Sequence, residues 1–181
     1  NGYAAVFTPL SIAMGGLLST PAQAQGSDGC INAVAQTLPI GGSLTITGDN
    51  SNATSNGDWA AGSPFAGAPA VWHKITLTDC ARVTMDFCGQ EPAWLLQYGI
   101  VSNACPASQS STIVYTTPDT QLCGDGNYTY TWNALGAGSY YIPVIKVGNN
   151  VGAYTIHVAA TACATDFCDQ IAPAQLQVGE S

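Results

Sequence analysis

Short stretches in which apolar and polar residues alternate, separated by turn residues, constrain the fold of this chain most strongly. From residue 40 onward they lie at 43–47, 70–77, 81–87, 93–101, 111–117, 128–135, 139–147 and 152–160. Alternation with a period of two is typical of strands with one buried face, and no stretch past residue 40 has a useful helical period. The pattern therefore predicts an all-β protein, an antiparallel β-sandwich of about eight short strands.

The length of 181 residues suits one domain with additional segments at both ends. We place a hydrophobic N-terminal segment at residues 1–29, a β-sandwich domain at 30–163 and a C-terminal tail at 164–181. Residues 48–70 are rich in Gly, Asn, Asp, Ser and Pro, which predicts a long loop between two strands.

Charged residues are scarce, and this excludes two classes of partner. The chain has 3 Lys and Arg residues against 11 Asp and Glu residues, for a net charge of −8. So few basic residues cannot neutralise a row of phosphates, so we expect no nucleic-acid partner. Binding to anionic membrane surfaces is disfavoured for the same reason.

The seven cysteines indicate disulfides in an oxidising compartment, and hence an extracellular or cell-surface protein. None forms a CxxC pair and only two histidines are present, so we predict no metal site and no cofactor. Spacing favours three pairs, which are Cys30–Cys163, Cys80–Cys88 and Cys105–Cys123. Cys168 would then be free or form an intersubunit bridge. A local Cys163–Cys168 loop, with Cys30 free, remains an alternative.

Two segments carry a resemblance to a known family. VWHKITLTDCARVTMDFCG and GNYTYTWNALGAGSYYIPVIKVGNNVGAYTIHVAATAC resemble the bacterial pre-peptidase C-terminal domain, over roughly residues 30–163. The resemblance implies a jelly-roll-like β-sandwich that serves secreted proteins as an accessory domain. In LGAGSYYIPV, Tyr140 and Ile142 should face opposite to Tyr141 and Pro143, and Pro143 indicates a sheet edge or a bulge.

Some relatives in that family bind calcium through acidic loops. The oxygens here would come from Asp49, Asn50, Asp58 and Asp125, but their spacing matches no EF-hand loop. Because Asp and Asn in loops more often form turns, we expect calcium only as the minor alternative.

Residues 1–26, NGYAAVFTPLSIAMGGLLSTPAQAQG, have two interpretations. The first is a signal peptide, with LSIAMGGLL as its apolar core and Ala22-Gln23-Ala24 as a cleavage site that leaves Gln25 as the terminus. Against it, no Lys or Arg precedes Lys74, so the usual basic region is missing.

The second interpretation, which we favour, is an extended strand used in assembly. Its alternate positions are Val6, Thr8, Leu10, Ile12 and Met14. Such a row can add to a sheet edge of a neighbouring molecule and fill pockets there, as in donor-strand complementation. Residues 15–26 would form the linker, and head-to-tail contacts that do not close produce filaments.

Candidates for catalysis are weak. There is no G-x-S-x-G elbow, and Asp86 and Glu91 are close in sequence but more simply explained as exposed turn acids. His73 falls in an inward row, where we expect a hydrogen-bonded core residue, and His157 falls on an outer face.

Aromatic residues and sequons give the remaining candidates. Stacking on sugars would use Trp59, Trp94, Tyr98 and Trp132, although tryptophans in sandwiches are more often in the core. Asn52 and Asn127 begin N-glycosylation sequons.

These features predict a function without enzymatic activity. We expect a secreted structural subunit that polymerises into an extracellular filament or surface layer, with copies of itself as partners. The alternative is a monomeric secreted module that binds glycans or surfaces after removal of the signal peptide.

Overall fold

The computed structural model describes residues 24–55, 57–94, 98–108, 110, 112–115 and 120–163. Apart from one 3₁₀ turn at Cys30–Asn32, the regular elements in these ranges are strands, so the all-β prediction is confirmed. The eleven strands are β1 (Ala24–Gln25), β2 (Ala35–Thr37), β3 (Ser43–Asp49), β4 (Ala70–Leu77), β5 (Ala81–Asp86), β6 (Gly99–Ser102), β7 (Thr112–Tyr115), β8 (Thr120–Leu122), β9 (Tyr128–Leu135), β10 (Gly138–Ile145) and β11 (Ala153–Ala162).

The strands form two sheets, which confirms the β-sandwich. Sheet A has the order β1-β3-β11-β5-β9-β8, and sheet B has the order β2-β4-β10-β6-β7. Neighbours pair antiparallel except for β1 with β3 and β2 with β4, which are parallel. The strands beyond the eight predicted ones are β1, β2 and β8, with two or three residues each. Segments that short cannot show a period of two.

Alternation along the long strands builds an inter-sheet core. In β11, Tyr154, Ile156 and Val158 are buried while their neighbours face solvent, including the exposed His157 predicted for an outer face. This core consists of Leu38, Ile46, Val71, Ile75, Leu77, Ala81, Val83, Met85, Phe87, Trp94, Val101, Tyr130, Trp132, Leu135, Ile142, Val144, Tyr154, Ile156, Val158 and Ala160.

A second, smaller cluster lies on the opposite face of sheet B. Successive side chains of a strand point to opposite faces, so Trp72 of β4 faces away from the inter-sheet core. The predicted long loop between β3 and β4 folds over it, and the rings of Trp59 and Trp72 lie 4.9 Å apart. We call this the outer cluster; its buried members are Cys30, Ala33, Trp59, Ala70, Trp72, Ile100, Ala107 and Ile145.

The six cysteines predicted to form disulfides do so, but all three predicted pairings are wrong. The bonds are Cys30–Cys105, Cys80–Cys163 and Cys88–Cys123. Two of the predicted pairs, Cys80–Cys88 and Cys105–Cys123, join cysteines that are near in sequence, yet Cys80 and Cys88 flank the six residues of β5. An extended strand of that length separates its ends by roughly 20 Å, far beyond a disulfide's reach. Cys168 lies outside the described residues.

Strand β10 corrects another expectation. Its faces are as predicted, because Ile142 belongs to the inter-sheet core and Tyr141 packs against the outer cluster. The expectation of a sheet edge at Pro143 is wrong, since β10 lies between β4 and β6. The described pairing of β10 with β6 is limited to Tyr141 opposite Ser102, so the ladder does not continue along Pro143.

Candidate assembly surface

One side of the sandwich is formed by strands β1 to β4, and we call it the entry wall. There β1 pairs with Ile46 and Thr47 of sheet A. Ser27 then exchanges two backbone hydrogen bonds with Trp72 of sheet B, at 2.9 and 2.7 Å. Because β10 pairs along all of β4, Ser27 and β2 lie on the same edge of β4. Residues 24–28, the entry strap, thus join the two sheets.

Two glycines let the entry strap and β3 approach the core closely. A Cβ atom at Gly26 would collide with Val71 and with the ring of His73. A Cβ atom at Gly48 would collide with the hydroxyl end of Tyr154. Backbone therefore lies directly against a buried His–Tyr pair, and only glycine fits at either position.

The His–Tyr pair is the polar link between the sheets at this wall. Nε2 of His73 and the hydroxyl of Tyr154 share a hydrogen bond of 2.6 Å, and His73 is 2% exposed. Burial lowers the pKa of His73 to about 4. Burial, and secondarily the charge of Asp49, raises the pKa of Tyr154. Both groups are therefore neutral at pH 7, and the expectation of a hydrogen-bonded core histidine is confirmed.

A pocket of about 270 Å³ opens on the entry wall. Its lining consists of Gly26, Asp28, Gly48, Asp49, Asn52, Ala53 and Val71. The carboxylate of Asp28 accepts hydrogen bonds of 2.6 Å from the amide and the hydroxyl of Thr54. Hydrogen bonds donated by Ser51 to Asp49 lower the pKa of that carboxyl. Both carboxylates thus fix the conformation of the surrounding loop.

The outermost strand of the entry wall in sheet B is β2, and its surroundings are apolar. Ile31 is 77% exposed and Val34 is 76% exposed, the two highest values among the large hydrophobic residues described. Ile40, beyond the other end of β2, is also exposed. Residues 29–42 contain no charged side chain. We call residues 31–40 the β2 edge.

The residues considered for calcium serve separate loops. The buried Asn50 donates from Nδ2 to the carbonyl of Asn150 at 2.9 Å. Asp58 accepts a hydrogen bond of 2.8 Å from the amide of Cys30. Asp125 accepts from the amides of Gly89 and Asn127, which lowers its pKa. Of these bonds, only the one from Asn127 to Asp125 is a local turn contact, whereas Asn50 and Asp58 connect segments that are distant in sequence.

Two groups of acidic and cysteine side chains come close enough together, among the described residues, to be considered as metal sites. They are Cys30, Asp58 and Cys105 in one place, and Asp86, Cys88 and Cys123 in the other. In each group both cysteines are joined in a disulfide. A disulfide sulfur is not the thiolate that binds metal, so each group leaves one carboxylate as a ligand.

The structure separates the aromatic candidates for sugar stacking. Trp59, Trp94 and Trp132 are buried, and only Tyr98 of the four is exposed, at 39%. Among the acids, Asp86 accepts a hydrogen bond of 2.6 Å from the amide of Cys88. The tryptophans are core residues, as their usual role in sandwiches suggests.

The two glycosylation candidates differ. Asn52 is exposed on the rim of the pocket. Asn127 is 0% exposed; its Oδ1 accepts from the amide of Trp94 at 2.9 Å, and its Nδ2 donates to the carbonyl of Gln90 at 2.8 Å. Both ends of that amide are hydrogen-bonded within the loop, so the Asn127 side chain is not accessible in the folded domain, and glycosylation at either sequon stays a prediction.

The predicted assembly residues Val6, Thr8, Leu10, Ile12 and Met14 lie outside the described residues. The sequence does not predict the β2 edge, because a strand of three residues shows no period of two. Its signal in the sequence is the uncharged run at 29–42 that carries Ile31, Val34 and Ile40.

Comparison with models of protein families finds no match to this chain, and a search of curated proteins finds no significant one. The resemblance to the pre-peptidase C-terminal domain stays a prediction. Within the part of the chain that the structure describes, no helix is long and apolar enough to span a membrane.

Proposed function

We propose that this chain is a secreted structural subunit without enzymatic activity, which assembles with copies of itself into an extracellular filament or surface layer. The contact is made by strand donation. The alternating row from Val6 to Met14 of one subunit adds to a sheet edge of the next.

The observation that supports this proposal is the way the chain enters the sandwich. Strand β1 pairs in parallel with β3, with Ala24 opposite Ile46 and Gln25 opposite Thr47. The N-terminal end of β1 therefore points along the sheet edge toward Ser43. The donor segment is connected to the domain through β1, and β1 itself pairs at a sheet edge.

The dimensions suit a link between molecules. Ten extended residues reach about 33 Å, which crosses a domain of this size. Gly15 and Gly16 follow the alternating row and allow the chain to change direction between the donor and β1. Because the donated segment and the accepting edge are different surfaces, the contact is heterologous and can repeat without closing.

The compartment is part of the proposal. Three disulfides join distant parts of the described fold, across 75, 83 and 35 residues. Disulfides of this kind persist outside the reducing cytosol. Together with a surface that has few charges, they favour an extracellular protein that packs against its own copies.

Deletion of residues 3–18 tests the proposal. The full chain is produced in an oxidising host behind a removable carrier, so that residues 1–24 are retained, and is examined by negative-stain microscopy. We expect polymers from the full chain and monomers from the deletion variant. Both should have the same β-sheet circular dichroism and three disulfides. Polymers of equal length from both chains would contradict strand donation.

A second function is favoured by the position of the predicted cleavage site. Cleavage after Ala24 would leave Gly26, Ser27 and Asp28, which hold the entry wall, in the mature chain. The product would be a monomeric module that binds glycans or surfaces, with the exposed Tyr98 and the adjacent Phe65, 5.4 Å away, as its accessible aromatic pair. Glycan-array binding by a chain that begins at Gln25, lost in Tyr98→Ala, would support this function.

A further inference from the structure

We propose that the β2 edge is the surface that accepts the donated segment of a second copy. This inference rests on the proposed function and names the partner of that contact. It goes further by assigning the acceptor to Ile31, Val34 and strand β2, which nothing in the donor sequence specifies.

Backbone geometry makes β2 suitable for strand addition. Among the described strands it is the terminal one of sheet B, and it pairs on its inner side with β4, with Ala35 opposite Lys74 and Thr37 opposite Thr76. A strand added on the outer side would extend sheet B by one strand, with main-chain hydrogen bonds supplying affinity. At the far end of β2, the buried Leu38 anchors the edge to the inter-sheet core.

Side chains around β2 supply the apolar contacts that a donor would cover. Ile31 and Val34 are 77% and 76% exposed, so about three quarters of their surface is available. Ile31 lies in the 3₁₀ turn before β2, and Val34 directly precedes β2. Exposed apolar surface beside a sheet edge is a liability for a protein that remains alone. A donor with Leu10 and Ile12 at alternate positions could cover this surface with one face of its strand.

The β2 edge and the donor segment are also alike in having no charged side chains. Residues 1–27 contain no charged side chain, and neither do residues 29–42. Their contact therefore buries no unpaired charge and meets no like-charge repulsion. An occupant with the ordinary share of charged residues would carry a desolvation cost that this segment does not have.

The entry point determines how copies can be connected. Strands β1 and β2 belong to the entry wall. The point where the donor segment joins the domain and the acceptor surface therefore lie on the same side of each subunit. The nine residues 15–23 reach about 30 Å when extended, enough to place the donor on a neighbour. Neighbours joined in series give a filament, whereas two walls that exchange segments give a closed dimer.

Lysine substitutions on the full chain test the acceptor. Ile31→Lys and Val34→Lys place a charge on the β2 edge, at side chains whose exposure makes them dispensable for folding. Leu122→Lys is the matched control, because Leu122 is 66% exposed at the end of β8, the terminal strand of sheet A. Sedimentation velocity over a range of concentrations measures the association constant, and thermal melts verify the fold.

We expect each β2-edge variant to lower the association constant by roughly tenfold or more, as expected for a central apolar contact, and Leu122→Lys to leave it unchanged. Assembly of the full chain that is unaffected by both β2-edge variants, but lost on deletion of residues 3–18, overturns the acceptor assignment and leaves strand donation standing. A closed dimer sensitive to Val34→Lys supports the acceptor and overturns the filament. A full chain that is monomeric at every concentration overturns both.

Discussion

The two hydrophobic clusters of this protein are built in different ways. The inter-sheet core is made by long strands whose alternate residues point inward from both sheets. The outer cluster has a strand face on one side only. It is covered by the loop between β3 and β4, which contributes Trp59, and by the segments around Cys30 and Cys105, which a disulfide joins.

The difference lies in what holds each cluster together. Ladders of hydrogen bonds on both sides fix the residues of the inter-sheet core, so a cavity there cannot collapse without moving a sheet. The loop over Trp72 is held by fewer bonds, among them one of 3.1 Å from the indole N–H of Trp59 to the carbonyl of Ala68. The outer cluster should therefore open locally while the sheets stay paired.

A matched pair of isoleucines tests this difference with the largest effect. Ile156 in the inter-sheet core and Ile100 in the outer cluster are both 0% exposed. We expect Ile156→Ala to lower the free energy of unfolding by about 4 kcal/mol and Ile100→Ala by about 2 kcal/mol, because the loop can close over the smaller side chain. Urea denaturation measures both, and equal losses would erase the distinction.

The disulfides provide a second test of the difference between the inter-sheet core and the outer cluster. Cys30–Cys105 and Cys80–Cys163 span 75 and 83 residues, so their effects on the unfolded chain are nearly equal. We expect replacement of either pair by serine to cost about 3 kcal/mol. Only loss of Cys30–Cys105 should also accelerate amide hydrogen exchange in residues 57–68. Equal acceleration in both variants would show that this disulfide has no local role.

Acid should act on the inter-sheet core through His73. Its pKa is about 4 in the folded protein and about 6.5 in the unfolded chain. As pH falls, His73 is therefore protonated in the unfolded state before it is protonated in the folded state. The free energy of unfolding decreases between pH 6.5 and 4, by about 3 kcal/mol in total. His73→Gln, which keeps a polar partner for Tyr154, should flatten this part of the pH profile. An unchanged slope would remove His73 as its cause.

The smallest effect is expected in the loops beside the core. Asn127→Ala removes the amide that links Trp94 and Gln90, and leaves their backbone groups without this partner. We expect a loss of about 2 kcal/mol. Asn52→Ala is the control, since that side chain is exposed, and it should change the unfolding midpoint little. Similar losses of unfolding free energy in Asn127→Ala and Asn52→Ala would show that the burial of Asn127 is not the cause of the effect.

The long strands could be predicted because burial leaves its period in the sequence. β11 shows it along most of its length and β4 shows it from His73 onward, and His73 and His157 lie on the predicted faces. β2 could not be predicted in this way, because it has three residues and is defined by its partner β4. The disulfide pairing depends on which strand ends meet, which spacing along the chain does not record.

Among the candidate sites, Asn52 can be named from its sequon and is exposed, whereas the β2 edge depends on a position at the outside of a sheet that the sequence does not show. Asn127 is buried whereas Asn52 is exposed, and the sequon motif alone does not show this difference. In both cases the residue type can be seen in the sequence, whereas the exposure of the residue and its neighbours depend on the tertiary structure.

Strand donation requires that residues 3–18 are present in the exported protein. Intact-mass spectrometry of the protein from its native source, after reduction, measures this directly. A mass that includes these residues is the expected result. A mature terminus at Gln25 would contradict strand donation, and would favour the monomeric binding module instead.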